Sequence, residues 1–563
     1  MRPRKVLNIA IADSKLQDLF HKELKISKIT AQLLVNRGVN NLSDANKFLK
    51  VSPNDLLDPF LFQDMPKAVK IIKEFIKNKD KILVFSDYDV DGITSLALLS
   101  DVLSKLGGGL SHYIPHRVKE GYGLSKNIVN IAKEKNAKLV ITADCGINSH
   151  KEVQDLRHNG IEVIITDHHE PFNDEKGVSA SAVINPKTKD SNYRYRDLAG
   201  VGVAYKLCQA LTRNLLQEEL DLVSLGTIAD SVPLTGENRI IAKEGLVRIG
   251  NTERPGLKAL LETSGIKGKV MTSQSVSFIL GPRINACGRL DSAELSLNLL
   301  MSRDDAQALE IAGEIEKFNR QRQKIESGIL EEAYDLVERE IDFKEHKILV
   351  IAKEGWHQGL LGIVASKIMD KFYRPTIIIS KTDGLCRGSG RSIKNFHLFD
   401  SLSECAQLLE SFGGHKHATG LVITSANIEE FRNKINLLAK EKLRVEDLLP
   451  GLDIDMELNL SDLDHGFVQE LDILEPFGTG NPEPLFYTRN LKLKGESRVL
   501  GRGTLKFWVT DGKLTYPAIG FGMAEVKESL ECADCLDLVY NPKIDEWQGA
   551  HSLILEVKEI FLK

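Results

Sequence analysis

Three short apolar runs in the first half of the chain break off at acidic residues. KILVFS (81–86) runs into Asp87, Asp89 and Asp91, KLVITA (138–143) into Asp144, and IEVIIT (161–166) into Asp167, His168 and His169. The amphipathic stretch ITSLALLSDVLSKLG (93–107) follows the first run, and helical patterns separate the others. Strands alternating with helices over such short links predict an α/β domain, a parallel sheet covered on both faces. In open α/β sheets, ligands bind at the carboxyl ends of the strands. The three loops therefore deliver five Asp and two His to one edge. Asp230, in GTIADSVPL, follows another apolar stretch and is a fourth candidate.

Carboxylates a few ångströms apart repel one another strongly and need compensation in a compact protein. Divalent cations supply it. Carboxylates joined by one or two imidazoles favour Mg²⁺ or Mn²⁺, the imidazole pulling towards Mn²⁺. Two such ions ~3.5–4 Å apart stabilise both the attacking and the departing oxygen of a phosphoester. DYDVDG also opens an EF-hand loop, but that loop requires Glu at its twelfth position, where this chain has Leu98, and here the motif follows a strand. One acidic residue at a strand end can be a helix cap without chemistry. Three such loops together point to a metal centre.

At 563 residues the chain requires several domains. Residues 1–66 read as a helical N-terminal extension, 67–235 as the catalytic α/β domain and 236–340 as a helical connector. The connector ends in a stretch without Pro from Asp304 to about Glu340, with Phe318, Ile325, Ile329, Ala333 and Leu336 at helical spacings. A helix of that length reaches roughly 50 Å, enough to join two domains. A second α/β pattern occupies 341–445, with HKILVIA (346–352) and PTIIIS (375–380) flanking a helix. Residues 450–563 are strand-like with turn signals at Gly478, Gly480 and Asp511–Gly512, and read as a small OB-like β-barrel.

No apolar run approaches the ~18 residues of a membrane span, and Asp13 and Lys15 interrupt the opening apolar stretch before it reaches signal-peptide length. Seven cysteines, mostly scattered, suit a reducing compartment, and Cys532–Cys535 lacks the second pair that zinc needs. The expected location is the cytoplasm. The net charge of −5 does not exclude a nucleic-acid ligand, because carboxylates that hold metal ions are counted as bare charges. Positive charge is local. Lys492 and Lys494 alternate along one strand, Arg498 and Arg502 follow, and Lys506, Phe507 and Trp508 begin another. Cations interleaved with aromatics on a small barrel suit a single strand, tracked along its backbone and stacked through its bases. A solvated strand face with core aromatics is the other reading.

DYDVDG, ADCG, TDHH and GTIAD, in this order, resemble the four motifs of the DHH phosphoesterases, and GGHKHATG (413–420) resembles the glycine-rich motif of their associated second domain. GPRINACGRLDSA (281–293), GWHQGLLGIVASK (355–367) and PFGTGNPEPLF (476–486) narrow the likeness to the single-strand-specific exonucleases of that family. Cys287 and Ser231 depart from the pattern, where Ala and an apolar residue are expected. The resemblance implies that Asp89, Asp91, Asp144, His168 and Asp230 hold two divalent ions, Mg²⁺ or Mn²⁺, with Asp144 bridging them. Asp87 would be a further ligand or lie just behind them, Asp167 would orient the histidines, and His169 would face the scissile phosphate.

Arg391 and Ser392 in RGSGRS (387–392), with Gly414 and His415, become phosphate contacts across the cleft; without the resemblance, Phe412–Gly413 reads more readily as a helix C-cap. Arg283, Asn285 and Arg289 are similarly placed candidates, and Lys492, Lys494 and Trp508 would hold the strand on the barrel. The implied activity is 5′-to-3′ hydrolysis of single-stranded DNA in recombination and repair. A monomer is expected, with a helicase and a single-strand-binding protein as candidate partners and no membrane. A DHH phosphodiesterase acting on short oligonucleotides or cyclic dinucleotides is the competing reading, and it would need only the two catalytic domains.

Overall fold

The structure is a computed structural model that describes residues 5–172, 177–547 and 550–563, and the chain divides into two compact units. Leu56–Val232 and Glu244–Pro450 belong to the first, and Val6–Asp55, Pro233–Lys243 and Gly451–Lys563 to the second.

The first unit contains the expected parallel sheet, in the order Gly109–Tyr113, Lys81–Ser86, Ala137–Ala143, Glu162–Thr166, Ala182–Ile184. From Lys81–Ser86 the chain moves to the neighbour on one side and then crosses to Ala137–Ala143 on the other. That reversal splays the two connections apart and opens a crevice at the carboxyl ends of the strands. The helix after the first strand, Val90–Lys105, is buried continuously from Val90 to Leu103, not merely along one stripe. It lies between the sheet and the helices Gly200–Thr212 and Leu220–Ala229, so no face is left for water.

A second, mixed sheet lies in the same unit, ordered Ser411–Gly414, Ala418–Thr424, Leu385–Arg391, Thr376–Lys381, Leu349–Glu354. Only the last two strands pair in parallel. The connecting helix runs from Asp305 to Glu340, 36 residues or ~54 Å. Asp304 caps it by accepting from the Gln307 amide at 2.7 Å. Its buried positions are 308, 312, 315, 319, 322, 326, 329, 333 and 337, a three-and-four spacing that makes one continuous seam. Mid-seam, Arg322 donates to Glu326 at 2.6 Å and to Asn319 at 2.7 Å, and Lys367 pairs with the other Glu326 oxygen at 2.5 Å.

In the second unit, seven strands are ordered Met456–Glu457, Phe486–Leu493, Leu536–Trp547, Ala550–Leu562, Thr515–Gly520, Thr504–Thr510, Arg498–Leu500. Phe486–Leu493 also pairs with Thr504–Thr510, through Lys492 with Thr510 and Leu493 with Val509, which closes the sheet on itself as a barrel requires. The N-terminal extension departs from its all-helical reading. Val6–Ile9 is a strand paired in parallel with Gly451–Ile454, and Phe20, Leu33, Leu34 and Ala45 share a core with Phe486, Phe507 and Tyr540 of the barrel. Among the described residues no helix is long and apolar enough to cross a membrane.

Candidate active site

The three acidic loops meet beside the strand-order reversal. Asp87 follows Lys81–Ser86 with its amide donating to the Ala143 carbonyl at 3.2 Å, and the Asp144 amide donates to Thr166 at 3.0 Å. Each strand thus hands its ladder to the next just where the carboxylates begin. Asp144 takes a left-handed backbone, φ 62°, that Asp tolerates better than most residues. Asp89 caps Val90–Lys105 by accepting from the Gly92 amide at 3.1 Å, so the helix-cap reading holds for it alongside its place in the cluster. Asp91 accepts from the Gly200 and Val201 amides at 2.6 and 2.8 Å. Asp230 terminates the helix Leu220–Ala229.

His168 is the hub. Its Nε2 lies 3.2 Å from Asp144, 3.6 Å from Asp230 and 3.8 Å from Asp91. Three groups have ligand atoms within 4.8 Å of one another: Asp87, Asp89 and Asp144; Asp91, His168 and Asp230; and Asp144, His168 and His169. Asp144 belongs to two of them, as a bridging ligand must. Asp167 stands behind: one oxygen accepts from the His168 and His169 amides at 2.7 and 3.0 Å and lies 2.8 Å from His169 Nδ1, while the other accepts from Ile147 at 2.9 Å. A carboxylate on the far nitrogen fixes an imidazole's tautomer and direction.

The electrostatics ask for cations. Burial, reinforced by Asp89, pushes the Asp87 carboxyl up to about 8, and the same causes bring Asp91 to about 7. Burial and the neighbouring carboxylates carry Asp144 and Asp230 well above the usual range. Burial and the adjacent His169 push His168 down to about 3, keeping it the neutral imidazole that ligates metals. For His169, burial opposes the charged ring, but the Asp167 hydrogen bond and the charges of Asp167, Asp87 and Asp89 together outweigh it and raise the pKa. Asp87 Oδ1, Asp144 Oδ1 and both His168 nitrogens are buried without a hydrogen-bond partner. Oxygen donors with one neutral imidazole, orphaned at the centre of a cluster, fit a pair of Mg²⁺ or Mn²⁺ ions. Space is tight: a Cβ on Gly200 would sit 2.4 Å from Asp144 Oδ1. Gly200→Ala is therefore expected to cut metal-dependent activity at least about tenfold with an unchanged circular-dichroism spectrum, and full activity would contradict that packing.

Beside the carboxylates lies a group of buried arginines. Burial, then Arg117 and Arg322, lower the Arg289 pKa to about 9, with Asp89 opposing; burial and Arg117 lower that of Arg391. Partly buried cations that repel one another, with Arg117 Nε unpaired and Arg322 Nε left over from its pairing with Glu326, have the chemistry to receive an anion. Arg117 also covers the Tyr88 ring at 4.0 Å. Sequence reasoning found Arg289 and Arg391 and missed Arg117 and Arg322. The signal for Arg117 was its place: it follows the strand Gly109–Tyr113 at the same sheet edge as the acidic loops.

The other predicted contacts divide. Asn285, its Oδ1 buried and unpartnered, lines a cavity of about 620 Å³ with Arg289, Arg322, Gln323 and Phe278. His415 feels the charge of His169 and Glu170. Gly414, at φ 128°, ends a strand, not a helix, so the C-cap reading of Phe412–Gly413 fails. Two candidates are corrected. Arg283 is committed to Glu316 at 2.9 Å and the Ile279 carbonyl at 2.8 Å, and the Ser392 hydroxyl donates to the Phe396 carbonyl at 2.8 Å. Ser389, two residues before Arg391 on the same strand, accepts from Arg391 Nη1 at 3.3 Å and donates to the Thr419 carbonyl at 3.4 Å.

On the barrel of the second unit, Lys492, Lys494, Lys506 and Trp508 are exposed, whereas Phe507 belongs to the core. The Lys494 amide donates to the Trp508 carbonyl at 2.9 Å, so the two strands carry their cations and the indole side by side.

Comparison with known proteins matches three segments of the chain. Residues 81–227 match the DHH family, N-terminal domain, residues 345–441 the DHHA1 domain and residues 454–559 the RecJ OB domain. The single-stranded-DNA-specific exonuclease RecJ of Bacillus subtilis is 38% identical over 96% of this chain and 68% of its own length. That of Escherichia coli is 34% identical over 95% of this chain and 96% of its own. The crystal structure of RecJ in complex with Mn²⁺ from Thermus thermophilus superposes with a TM-score of 0.86 at 28% identity, covering 100% of this chain and 80% of that one. With DHH, DHHA1 and OB domains matched in order and this chain aligned over nearly its whole length, the chain belongs to the RecJ family of single-stranded-DNA-specific exonucleases.

Proposed function

We propose that this chain removes nucleotides from the 5′ end of single-stranded DNA by hydrolysing phosphodiester bonds with two divalent ions, Mg²⁺ or Mn²⁺. One observation carries the reading: a cluster of carboxylates around His168 adjoins a cluster of arginines, with Arg289 within electrostatic reach of Asp89. Asp87, Asp89 and Asp144 would hold one ion, Asp91, Asp144, His168 and Asp230 the other. The Mn²⁺ in the Thermus thermophilus relative supports this choice of metal. Ions held by these residues would supply an activated water and offset charge on the entering and leaving oxygens. Arg117, Arg289 and Arg391 grip a phosphate next to the cleaved one, which places the scissile bond at a fixed distance from a chain end. Asp167 holds His169 towards the reacting phosphate. The barrel keeps the rest of the strand, through Lys492, Lys494 and Trp508, and its presence favours long single strands over cyclic dinucleotides. We place the enzyme in the cytoplasm as a monomer serving recombination and repair, with a helicase and a single-strand-binding protein preparing its substrate.

The test uses single strands labelled at either end, a blunt duplex and a cyclic dinucleotide, each with Mn²⁺. A 5′ label is expected to appear at once as mononucleotide, a 3′ label as a descending ladder, and the duplex to resist. The reverse label pattern would refute the polarity, and preferred turnover of the dinucleotide would refute the substrate class.

A further inference from the structure

One ring nitrogen of His169 has two partners. Its Nδ1 lies 2.8 Å from Asp167 Oδ1 and 2.9 Å from the Tyr122 hydroxyl. The tyrosine ring stands 5.1 Å from the imidazole, tilted by 57°. An imidazole nitrogen offers one in-plane position, filled by either a proton or a lone pair. A carboxylate only accepts, so Asp167 requires Nδ1–H. The Tyr122 oxygen then shares that same proton as a second acceptor, and its own hydrogen is left to point away from the ring.

The backbone builds this contact. Gly121 and Gly123, on either side of Tyr122, have φ of 84° and 94°, a region that side-chain-bearing residues rarely enter. The Leu124 amide then donates to Ser149 Oγ at 3.3 Å, tying the turn to the loop that carries Asp144, just before the helix His150–His158. Tyr122 is half exposed, and this turn brings its oxygen to the partly buried imidazole.

We propose that Tyr122 is a positioning residue of the hydrolysis, acting through His169: held from two directions at Nδ1, the imidazole cannot tilt, and Nε2 keeps one aim at the reacting phosphate. This rests on the reading that His169 faces that phosphate. With Asp167 alone, the ring would still pivot about a single hydrogen bond. Small misplacements of a reacting group are costly, and a group without conformational freedom avoids them.

Tyr122→Phe keeps the ring and removes the oxygen. On a single-stranded oligonucleotide with saturating Mn²⁺, kcat is expected to fall about tenfold, with KM and the half-saturating Mn²⁺ concentration within about twofold of wild type. In a His169→Gln background the same change should cost nothing further, because the ring it positions is gone. Tyr122→Phe with kcat within about twofold of wild type would overturn the proposal. So would a further tenfold loss in the His169→Gln background, which would put the hydroxyl on the substrate itself. If His169→Gln alone loses nothing, the reading of His169 fails and the role of Tyr122 fails with it; a loss there with independent effects refutes Tyr122 alone.

Discussion

Asp144→Ala is expected to lower single-strand cleavage by at least about 10³-fold at saturating Mn²⁺ while leaving the protein folded. Among the described residues no other carboxylate belongs to two of the ligand groups, so its loss leaves both ions incompletely held. Stability should move the opposite way in metal-free buffer. An acid whose folded-state pKa is raised favours folding below its unfolded pKa of about 4, and that contribution is lost as pH rises through the folded value. Here the window extends up to about 7 for Asp91 and about 8 for Asp87. Wild-type protein stripped of metal is thus penalised at pH 8 relative to pH 5, and the alanine variant less so. Melting curves in chelator at the two pH values test this: the variant should gain on wild type as pH rises. Cleavage within tenfold of wild type would sink the two-metal centre, and a variant that loses ground at pH 8 would sink the electrostatic account.

The second large effect is expected at the arginines. Arg289→Ala should reduce kcat/KM on a 5′-phosphorylated strand by about 100-fold, chiefly through KM, and flatten the dependence of binding on salt by about one phosphate contact. A charged partner is lost from a water-poor site, where a phosphate contact is worth more than on a surface. The remaining arginines are relieved of its repulsion once it is gone, so stability should not fall in proportion. Titrating binding of a catalytically silent complex between about 50 and 200 mM salt measures the slope. An unchanged slope with an unchanged KM would show that the arginines face no phosphate.

What the sequence made legible were features carried by contiguous residues. Each apolar run ends in its own acidic loop, and parallel sheets place such ends side by side whatever the order of strands, so Asp87, Asp144 and Asp167 could be brought together before any coordinates. Features carried by side-chain direction were harder. Arg387, Ser389 and Arg391 alternate along one strand and so share a face, whereas Ser392 lies beyond the strand's end and turns to Phe396. Arg283 and Arg289 sit on one short helix but six residues apart, and the first turns to Glu316. Arg322 was hidden by its helical stripe, where a buried position looked like core. The strand Val6–Ile9 could not be read because its partner, Gly451–Ile454, lies at the far end of the chain.

The seam along Asp305–Glu340 makes chain length a functional quantity. Its first half packs against helices Pro255–Thr263 and Gly281–Leu290, which carry Arg289; its second half packs against Leu361–Phe372, next to the strand that carries Arg391. Inserting a single residue between the two halves would turn the later one by about 100° and advance it by about 1.5 Å, which takes Arg391 out of register with Arg289. Seven inserted residues would nearly restore the rotation but add roughly 10 Å of separation. The helix is therefore a ruler with one usable graduation: both the angle and the gap at the proposed phosphate site are written in the count of residues between Ala308 and Val337.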